Sequence, residues 1–337
     1  MNCDNPIFIC GHIKTGTSLM AALLDSHPKL NVFPEELFLF SKYGLFKNNK
    51  YENYDEFWDI FFNDIQIKKL FGNKASGLFG SVDYSDFDAT YFKEKCKKLT
   101  ENKPDNEDFI IHIYESIFNA FSEIKNSHNK RCVEKTPMNE FNFIFWKQYY
   151  PNAKFIYMKR EPFEVYSSIK KKRSVENIDY SIYNFIVNYK TSLSLANYFE
   201  KEYPNHFKIV ELNTLKNKTK ETMESISKFI DIQYRDTLLK PTKLNKSWGG
   251  NSMFAKNKFG HIKEETYRKE RKKIIDKKEI SLINKYLNNR HPIVFDFNFL
   301  KYSLKAFIKV TFTNLWLNQF IKKQNHPKSP SLKNSQA

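Results

Sequence analysis

The chain has 337 residues, of which 41% are hydrophobic and 16% aromatic, and its 55 basic and 38 acidic residues give a formal net charge of +17. This composition excludes an intrinsically disordered chain, and the length allows one large domain or two ordinary ones with a substantial core. The positive charge favours phosphate- or sulfate-bearing ligands, nucleic acid or an acidic membrane face as partners.

The cysteine pattern and the termini bear on the compartment. The four cysteines are scattered, without the CxxC or paired spacing of a metal site or a disulfide framework: Cys3, Cys10, Cys96 and Cys132. Reduced cysteines are therefore expected. The N-terminus shows no targeting pattern, and no apolar run reaches the ~18–20 residues that a membrane span needs. The sequence thus favours a cytoplasmic protein.

The first predicted element is a buried strand at residues 7–10, followed by the loop GHIKTGTS and a helix that begins near Thr17. Glycines permit unusual backbone angles in such a loop and let an oxyanion approach its amide groups. Lys14 adds a charge, and three residues add hydroxyl donors: Thr15, Thr17 and Ser18. The spacing from Gly11 to Gly16 matches a phosphate loop, although Thr17 stands where that pattern has lysine. An anion site is favoured over a structural turn.

A pair of adjacent carboxylates comes next, Glu35 and Glu36 in NVFPEELFLF. The surrounding apolar residues favour partial desolvation, which raises the pKa of a carboxyl group toward the range that a general base requires. A solvent-facing pair at a helix start explains these two residues equally well when they are considered alone.

Residues 42–129 are rich in Phe, Tyr, Asn and Lys, and we interpret them as a largely helical insertion that shapes the acceptor side of a cleft. Further buried strands are predicted at 131–134, 155–158 and 207–211, and helical patterns at 141–149, 182–189, 222–230 and 280–287. Fully apolar strands that alternate with helices predict an α/β fold, with an open, mostly parallel central sheet covered by helices on both faces.

A second strand–turn–helix unit is FIYMKREPFEVYSSIKKKR, residues 155–173. Arg160 follows the strand, Pro162 suits the first helical position, and Ser168 lies one to two helical turns further on. Arg160 and Ser168 can therefore bind one anion, and a simple arginine ion pair is the alternative. The two loops together suggest one ligand with two separated anionic groups, at the carboxyl ends of parallel strands.

Taken jointly, these motifs resemble the sulfotransferases that use PAPS (3′-phosphoadenosine 5′-phosphosulfate) as the sulfuryl donor. Six segments occur in the family's order: KTGTS, LLDSHP, PEE, EKTP, YPNAKFIYMKREP and GGNSMF at 249–254. The glycan and tyrosylprotein branches are the most similar. The resemblance implies a three-layer, P-loop-like α/β fold over residues 1–298, with the helical insertion at 42–129 included.

By this resemblance, the first loop binds the 5′-phosphosulfate and the second binds the 3′-phosphate. The implied donor-binding residues are Lys14, Thr15, Gly16, Thr17, Ser18, Arg160, Ser168 and Ser252, the last in a loop that closes over the nucleotide. Lys14 occupies a position where many relatives have arginine, so the charge is kept without the bidentate fork. Candidates of lower rank for the 3′-phosphate side are Lys256, Lys258 and Arg268. Trp248 either stacks on the adenine or packs in the core.

The resemblance also implies a catalytic glutamate and a stabilising lysine, Lys135 in EKTP. Ungapped counting from Lys14 selects Glu35 as the base, whereas matching the aromatic residues that follow selects Glu36, which we favour. Lysines can stabilise a transferring sulfuryl group without a metal ion, and the sequence has no cluster with metal-ligand spacing.

The sequence therefore predicts sulfuryl transfer from PAPS to an acceptor hydroxyl of a carbohydrate, glycolipid or polysaccharide. The alternatives are a tyrosylprotein acceptor, a P-loop kinase or NTPase, and a nucleic-acid- or membrane-binding protein. A kinase would require a lysine after Gly16, and the basic residues lack the clustering of a nucleic-acid site. Residues 299–323 are predicted to form an amphipathic helix that packs on the domain or contacts a membrane, and 324–337 a disordered tail. The acceptor and the oligomeric state are left open.

Overall fold

The computed structural model describes residues 4–40, 53–72, 74–75, 82–104, 108–127, 129–250 and 273–288. The strands are β1 (Ile7–Cys10), β2 (Leu30–Val32), β3 (Lys74–Ala75), β4 (Val82–Asp83), β5 (Arg131–Lys135), β6 (Lys154–Lys159), β7 (Phe207–Glu211), β8 (Thr242–Lys243) and β9 (Lys246–Ser247). The helices are α1 (Thr17–Leu24), α2 (Tyr54–Asn63), α3 (Ala89–Thr100), α4 (Phe109–Ile124), α5 (Phe143–Tyr149), α6 (Pro162–Val175), α7 (Ile182–Glu202), α8 (Leu212–Asn217), α9 (Thr219–Phe229) and α10 (Lys277–Ile283).

Five strands form the central sheet, in the order β2-β5-β1-β6-β7, and every neighbouring pair in it is parallel. The predicted α/β fold is confirmed, including the four strands expected from apolar runs. Parallel neighbours require long crossovers, and helices that cover both faces of the sheet supply them. The short pairs β3–β4 and β8–β9 are separate antiparallel hairpins.

Alternate residues of β1 and β6 enter two different cores, which explains why consecutive residues in the middle of these strands are apolar. In β1, Phe8 and Cys10 pack into an aromatic core with α2, α3, α4, α5 and α7. Ile7 and Ile9 pack on the opposite face against α1, α8 and α9. All four side chains are fully buried. Burial of a side chain of this size stabilises the folded chain by roughly 1.5–3 kcal/mol.

The region predicted as an insertion contains α2, α3, α4 and the β3–β4 hairpin in its described part. Aromatic residues of α2 and α3, such as Phe57 and Phe92, are fully buried in the larger core, so these helices are continuous with the sheet domain. The boundaries 1–298 and 42–129 stay predictions. Residues 299–323 and 324–337 lie outside the described part of the chain.

The cysteines do not all have the same oxidation state. Cys10 and Cys96 are buried free thiols, whereas Cys132 is disulfide-bonded. The bond at Cys132 departs from the expectation of reduced cysteines, because sequence spacing does not reveal which thiols meet in a fold. Over the described ranges, no helix combines the length and apolar character needed to cross a membrane.

Candidate active site

Four neighbouring strands end at the same edge of the sheet and align the predicted site residues there. Glu36 lies four residues beyond β2, Lys135 ends β5, the loop with Lys14 follows β1, and Arg160 follows β6. These strands are consecutive neighbours in the sheet. At about 4.8 Å between adjacent strands, the row spans about 15 Å. The topology therefore places the carboxylate, the two lysines and the arginine in one row.

The first loop depends on its two glycines. Gly11 and Gly16 have φ values of 131° and 104°, which side-chain-bearing residues rarely adopt. A Cβ at Gly11 would lie 2.5 Å from the Met158 carbonyl oxygen, and one at Gly16 would lie 2.7 Å from Leu212 Cδ1. The loop thus passes close to β6 and α8, and an added Cβ would meet backbone at Gly11 and the end of the Leu212 side chain at Gly16.

Backbone groups at the start of α1 provide anion donors. The amides of Gly16 and Thr17 donate to no residue in the described part of the chain, as expected at a helix N-terminus. The Thr17 hydroxyl likewise has no such partner there. The Thr15 hydroxyl is buried and donates to the His12 carbonyl at 2.6 Å. The Thr15 amide also donates to the His12 carbonyl, at 3.2 Å, so both hydrogen-bond donors of Thr15 are engaged within the loop.

A substitution of Gly16 tests this loop geometry. Gly16→Ala is expected to lower the free energy of unfolding by more than about 1–2 kcal/mol, because the backbone cost of a left-handed residue adds to the clash with Leu212. Gly250→Ala is the matched control, since Gly250 also has a positive φ, of 83°, but no atom lies within 4 Å of the added Cβ. Urea unfolding of both variants makes the comparison. Equal losses would contradict the close approach to Leu212.

The second loop contacts the first directly. Arg160 is 9% exposed, and its Nη1 donates to the Lys14 carbonyl oxygen at 3.1 Å. Its Nε donates to Glu164 Oε2, also at 3.1 Å, which fixes the orientation of the guanidinium. Ser168 lies four residues after Glu164 on α6 and is 6% exposed, and its hydroxyl bonds to no described residue. Arg160 thus bonds to the loop that carries Lys14, and Ser168 lies further along the helix that Arg160 precedes.

The ammonium group of Lys14 is largely buried and has charged groups of both signs around it. Burial, with a smaller contribution from Lys172, lowers the pKa of Lys14 to about 8, although Glu36 acts in the opposite direction. Lys172 was not among the predicted site residues. Its position four residues after Ser168 is the signal that could have revealed it, because residues four apart share a helix face. Lys172 also pairs with Glu176 at 3.5 Å.

The two adjacent carboxylates have different surroundings. Lys135 Nζ donates to Glu36 Oε1 at 2.5 Å, and no other described side chain bonds to Glu36. Glu35 accepts hydrogen bonds from Lys243 Nζ at 2.6 Å and from the Tyr84 hydroxyl, with Lys69 Nζ at 3.8 Å. Burial raises the pKa of Glu35, but the two lysines outweigh it and hold that pKa below its usual value.

Two fully buried carboxylates near the same edge were missed from the sequence. Burial raises the pKa of both Glu134 and Glu140 to about 7. Glu134 accepts hydrogen bonds from Thr136 and from Asn139, the latter at 3.0 Å. Glu140 accepts the amide of Gly11 at 3.1 Å and therefore contacts the first loop. Sequence alone offers no periodic or motif signal for either contact.

The remaining predicted residues divide into two groups. Four lie outside the described part of the chain: Ser252, Lys256, Lys258 and Arg268. Trp248 is 9% exposed, and its amide donates to the Pro241 carbonyl at 3.0 Å, so most of its surface is covered by protein. Among the described residues, no three His, Cys, Asp or Glu side chains are grouped so as to hold a metal ion.

The structure thus brings the two strand–turn–helix loops and a carboxylate–lysine pair together at one edge of a parallel α/β sheet. The family model described as "Sulfotransferase family" matches residues 6–236, more than half of the chain. The protein therefore belongs to the sulfotransferase family and is a sulfuryl-transferring enzyme, which confirms the resemblance noted from its motifs.

Solved sulfotransferase structures show a distant likeness. The sulfotransferase domain of the Synechococcus PCC 7002 olefin synthase shares 13% identity, with a TM-score of 0.45, over 89% of this chain and 94% of that one. A sulfotransferase domain from the curacin biosynthetic pathway shares 16%, with a TM-score of 0.45, over 86% and 99%. A sulfotransferase from Alicyclobacillus acidocaldarius shares 10%, with a TM-score of 0.37, over 85% and 97%. No curated protein sequence matches the chain.

Proposed function

We propose that this enzyme transfers the sulfuryl group of PAPS to an acceptor hydroxyl. The observation that carries the proposal is the row of Glu36, Lys135, Lys14 and Arg160 along one sheet edge, with Arg160 Nη1 3.1 Å from the Lys14 carbonyl. PAPS carries its phosphosulfate and its 3′-phosphate on one ribose. Two adjacent cationic loops suit two anionic groups held that close together.

In the proposed complex, the phosphosulfate lies at the first loop. Lys14 supplies the charge, the amides of Gly16 and Thr17 supply hydrogen bonds, and the N-terminus of α1 adds its dipole. The Thr17 and Ser18 hydroxyls are further donors. The 3′-phosphate is bound by Arg160 and Ser168, with Lys172 nearby in the same charged environment.

The reaction itself is a displacement at sulfur. The acceptor oxygen attacks the sulfur atom while its proton passes to Glu36, and the bond between sulfur and the bridging oxygen breaks. The leaving phosphate keeps the electron pair, and its negative charge is stabilised by Lys14 and Lys135. As in phosphoryl transfer, most of the rate enhancement would come from alignment and charge stabilisation. The contact between Lys135 and Glu36, 2.5 Å long, orients the base.

For the acceptor, we propose a carbohydrate hydroxyl, free or within a glycolipid or polysaccharide, with a tyrosine side chain of a protein as the second candidate. Transfer of labelled sulfate from PAPS to oligosaccharides, glycolipids and tyrosine peptides tests both. Label on a carbohydrate supports the first candidate, and label only on peptides replaces it with the second. Label on none, with the donor bound, would overturn both acceptor classes.

The pKa of Lys14 predicts how donor affinity changes with pH. The product PAP (3′-phosphoadenosine 5′-phosphate) binds the charged form of Lys14, whose pKa is about 8 in the free enzyme. Affinity should be constant below that pH and should fall by up to about tenfold per pH unit above it. Lys14→Arg should remove the dependence, because guanidinium does not titrate in this range. Calorimetric titrations from pH 7 to 9.5 test this, and parallel weakening of both enzymes would contradict it.

The location proposed from the sequence is the cytoplasm, with residues 299–323 as the segment suited to peripheral membrane contact. The disulfide bond at Cys132 favours an oxidising compartment instead. Because Cys132 is fully buried, free thiols are alkylated after the cells have been quenched in acid and denatured, and mass spectrometry then decides between the two. A Cys132 thiol that is quantitatively alkylated supports the cytoplasm, and a protected one contradicts it.

A further inference from the structure

The backbone of Gly11 is held on both sides by the segment after β5. Its amide donates to Glu140 Oε2 at 3.1 Å, and its carbonyl accepts the amide of Met138 at 2.9 Å. Gly11 is the first residue after β1 and has a φ of 131°. The direction in which the loop toward Lys14 leaves the sheet is therefore set by residues far away in the sequence.

Glu140 connects this loop to two further elements. The residue is 0% exposed, and its second oxygen accepts a hydrogen bond from the Ser192 hydroxyl on α7. Ser192 Oγ is in turn 2.8 Å from the Tyr157 hydroxyl on β6. Within the described ranges, no lysine or arginine pairs with Glu140. Among the described residues, the Gly11 amide, the Ser192 hydroxyl and the Cys10 thiol form hydrogen bonds with its carboxyl group.

A buried carboxylate without a cation is costly for folding, because it has lost its hydration. An apolar side chain of the same length would suit a core position better if stability were the only requirement. What the carboxylate provides is two acceptor oxygens in fixed positions. One of them binds the single glycine amide through which the loop leaves β1.

We propose that Glu140 is a positioning residue for the sulfuryl donor, which holds Gly11 and through it the amides and Lys14 of the first loop ready for the phosphosulfate. The inference rests on the proposed function. Preorganised donors bind an anion more tightly than donors that must be ordered during binding. Loss of this contact should therefore weaken donor binding without changing the acceptor site at Glu36.

Two substitutions of Glu140 show whether donor binding depends on its acceptor oxygen or on its negative charge. In E140Q, the amide oxygen can still accept the Gly11 N–H, and the amide nitrogen can donate to Ser192 Oγ, whose hydroxyl then donates to Tyr157. PAP affinity should stay within about threefold of wild type. E140M has a similar length but no acceptor, and its PAP affinity should fall by at least about tenfold, the size of one net hydrogen bond of this kind. S192A is the matched control and should bind PAP normally, because the Gly11 contact remains.

The experiment is calorimetric titration of each variant with PAP, on protein shown to be folded by circular dichroism, together with KM for PAPS and for the acceptor. We expect E140M to raise KM for PAPS and to leave KM for the acceptor unchanged. Wild-type PAP affinity in folded E140M, or equally weak binding in E140Q, would overturn the inference. If E140M does not fold, E140D is measured instead, because its shorter carboxylate cannot reach both Gly11 and Ser192. Normal PAP affinity in E140D would also overturn the inference. Wild-type enzyme that does not bind PAP would instead refute the proposed function.

Discussion

Replacement of Glu36 by glutamine is expected to lower kcat by about 10²- to 10⁴-fold, the usual contribution of a general base. The amide cannot accept the proton of the acceptor hydroxyl. Affinity for PAP should stay within about twofold of wild type, because the donor is bound at the neighbouring strands. Glu36 suits the role since its side chain is 21% exposed and its contact among the described residues is one lysine, Lys135. Single-turnover assays with PAPS and calorimetry with PAP give the two quantities.

Glu35→Gln is the matched control, one residue away. Glu35 is held by Lys243, Lys69 and the Tyr84 hydroxyl, so it links the hairpin β8–β9 to the insertion. Loss of its charge would leave Lys243, whose side chain is 21% exposed, without its anion and should lower the free energy of unfolding by about 1.5–3 kcal/mol. Turnover by the folded fraction should be close to normal. If Glu35→Gln abolished turnover and Glu36→Gln did not, the assignment of the base would be wrong.

Arg160→Ala is expected to weaken PAP binding by about 1.5–3 kcal/mol, or roughly 10- to 150-fold, the range for hydrogen bonds to charged groups. Adenosine 5′-monophosphate lacks the 3′-phosphate and serves as the matched ligand, whose affinity should change much less. Both affinities can be measured by calorimetry. An unchanged PAP affinity in the folded variant would remove Arg160 from the donor site.

Stability must be separated from binding in this experiment. Arg160 and Glu164 form an ion pair whose side chains are 8% and 6% exposed, so removal of the arginine leaves a buried carboxylate. The double variant Arg160→Ala/Glu164→Ala removes both charges and should recover part of the lost stability. It should not recover PAP affinity. Recovery of both together would show that the loss of binding in the single variant was a consequence of misfolding.

Four of the central strands could be predicted because their apolar sequence runs match their buried position between two cores. The prediction at 207–211 has the observed bounds of β7. Strand β2 was missed because it has three residues, Leu30–Val32, with a polar one in the middle. Asn31 is buried there, and its amide donates to Ser122 Oγ at 2.8 Å. The sequence does not reveal that a residue 91 positions away satisfies the buried amide of Asn31.

In the candidate site, too, features within one short segment could be predicted, whereas contacts between distant segments could not. The two loops are local units of strand, turn and helix, so their glycines, Lys14 and Arg160 could be recognised in the sequence. Glu140 lies 129 positions from Gly11, and Lys243 lies 208 positions from Glu35, so their contacts exist only in the folded chain. The choice between Glu35 and Glu36 also depends on such distant partners. Sequence could propose the pair, and the contacts of each residue supply the reason to prefer Glu36.

A crystal structure of the enzyme with PAP is the most direct test, because a single adenosine bisphosphate must engage the ends of β1 and β6 at once. The 5′-phosphate should lie within hydrogen-bond distance of the Gly16 and Thr17 amides, with the 3′-phosphate against Arg160 and Ser168. A nucleotide that touches one loop only, or that binds elsewhere on the protein, would contradict a shared two-anion site.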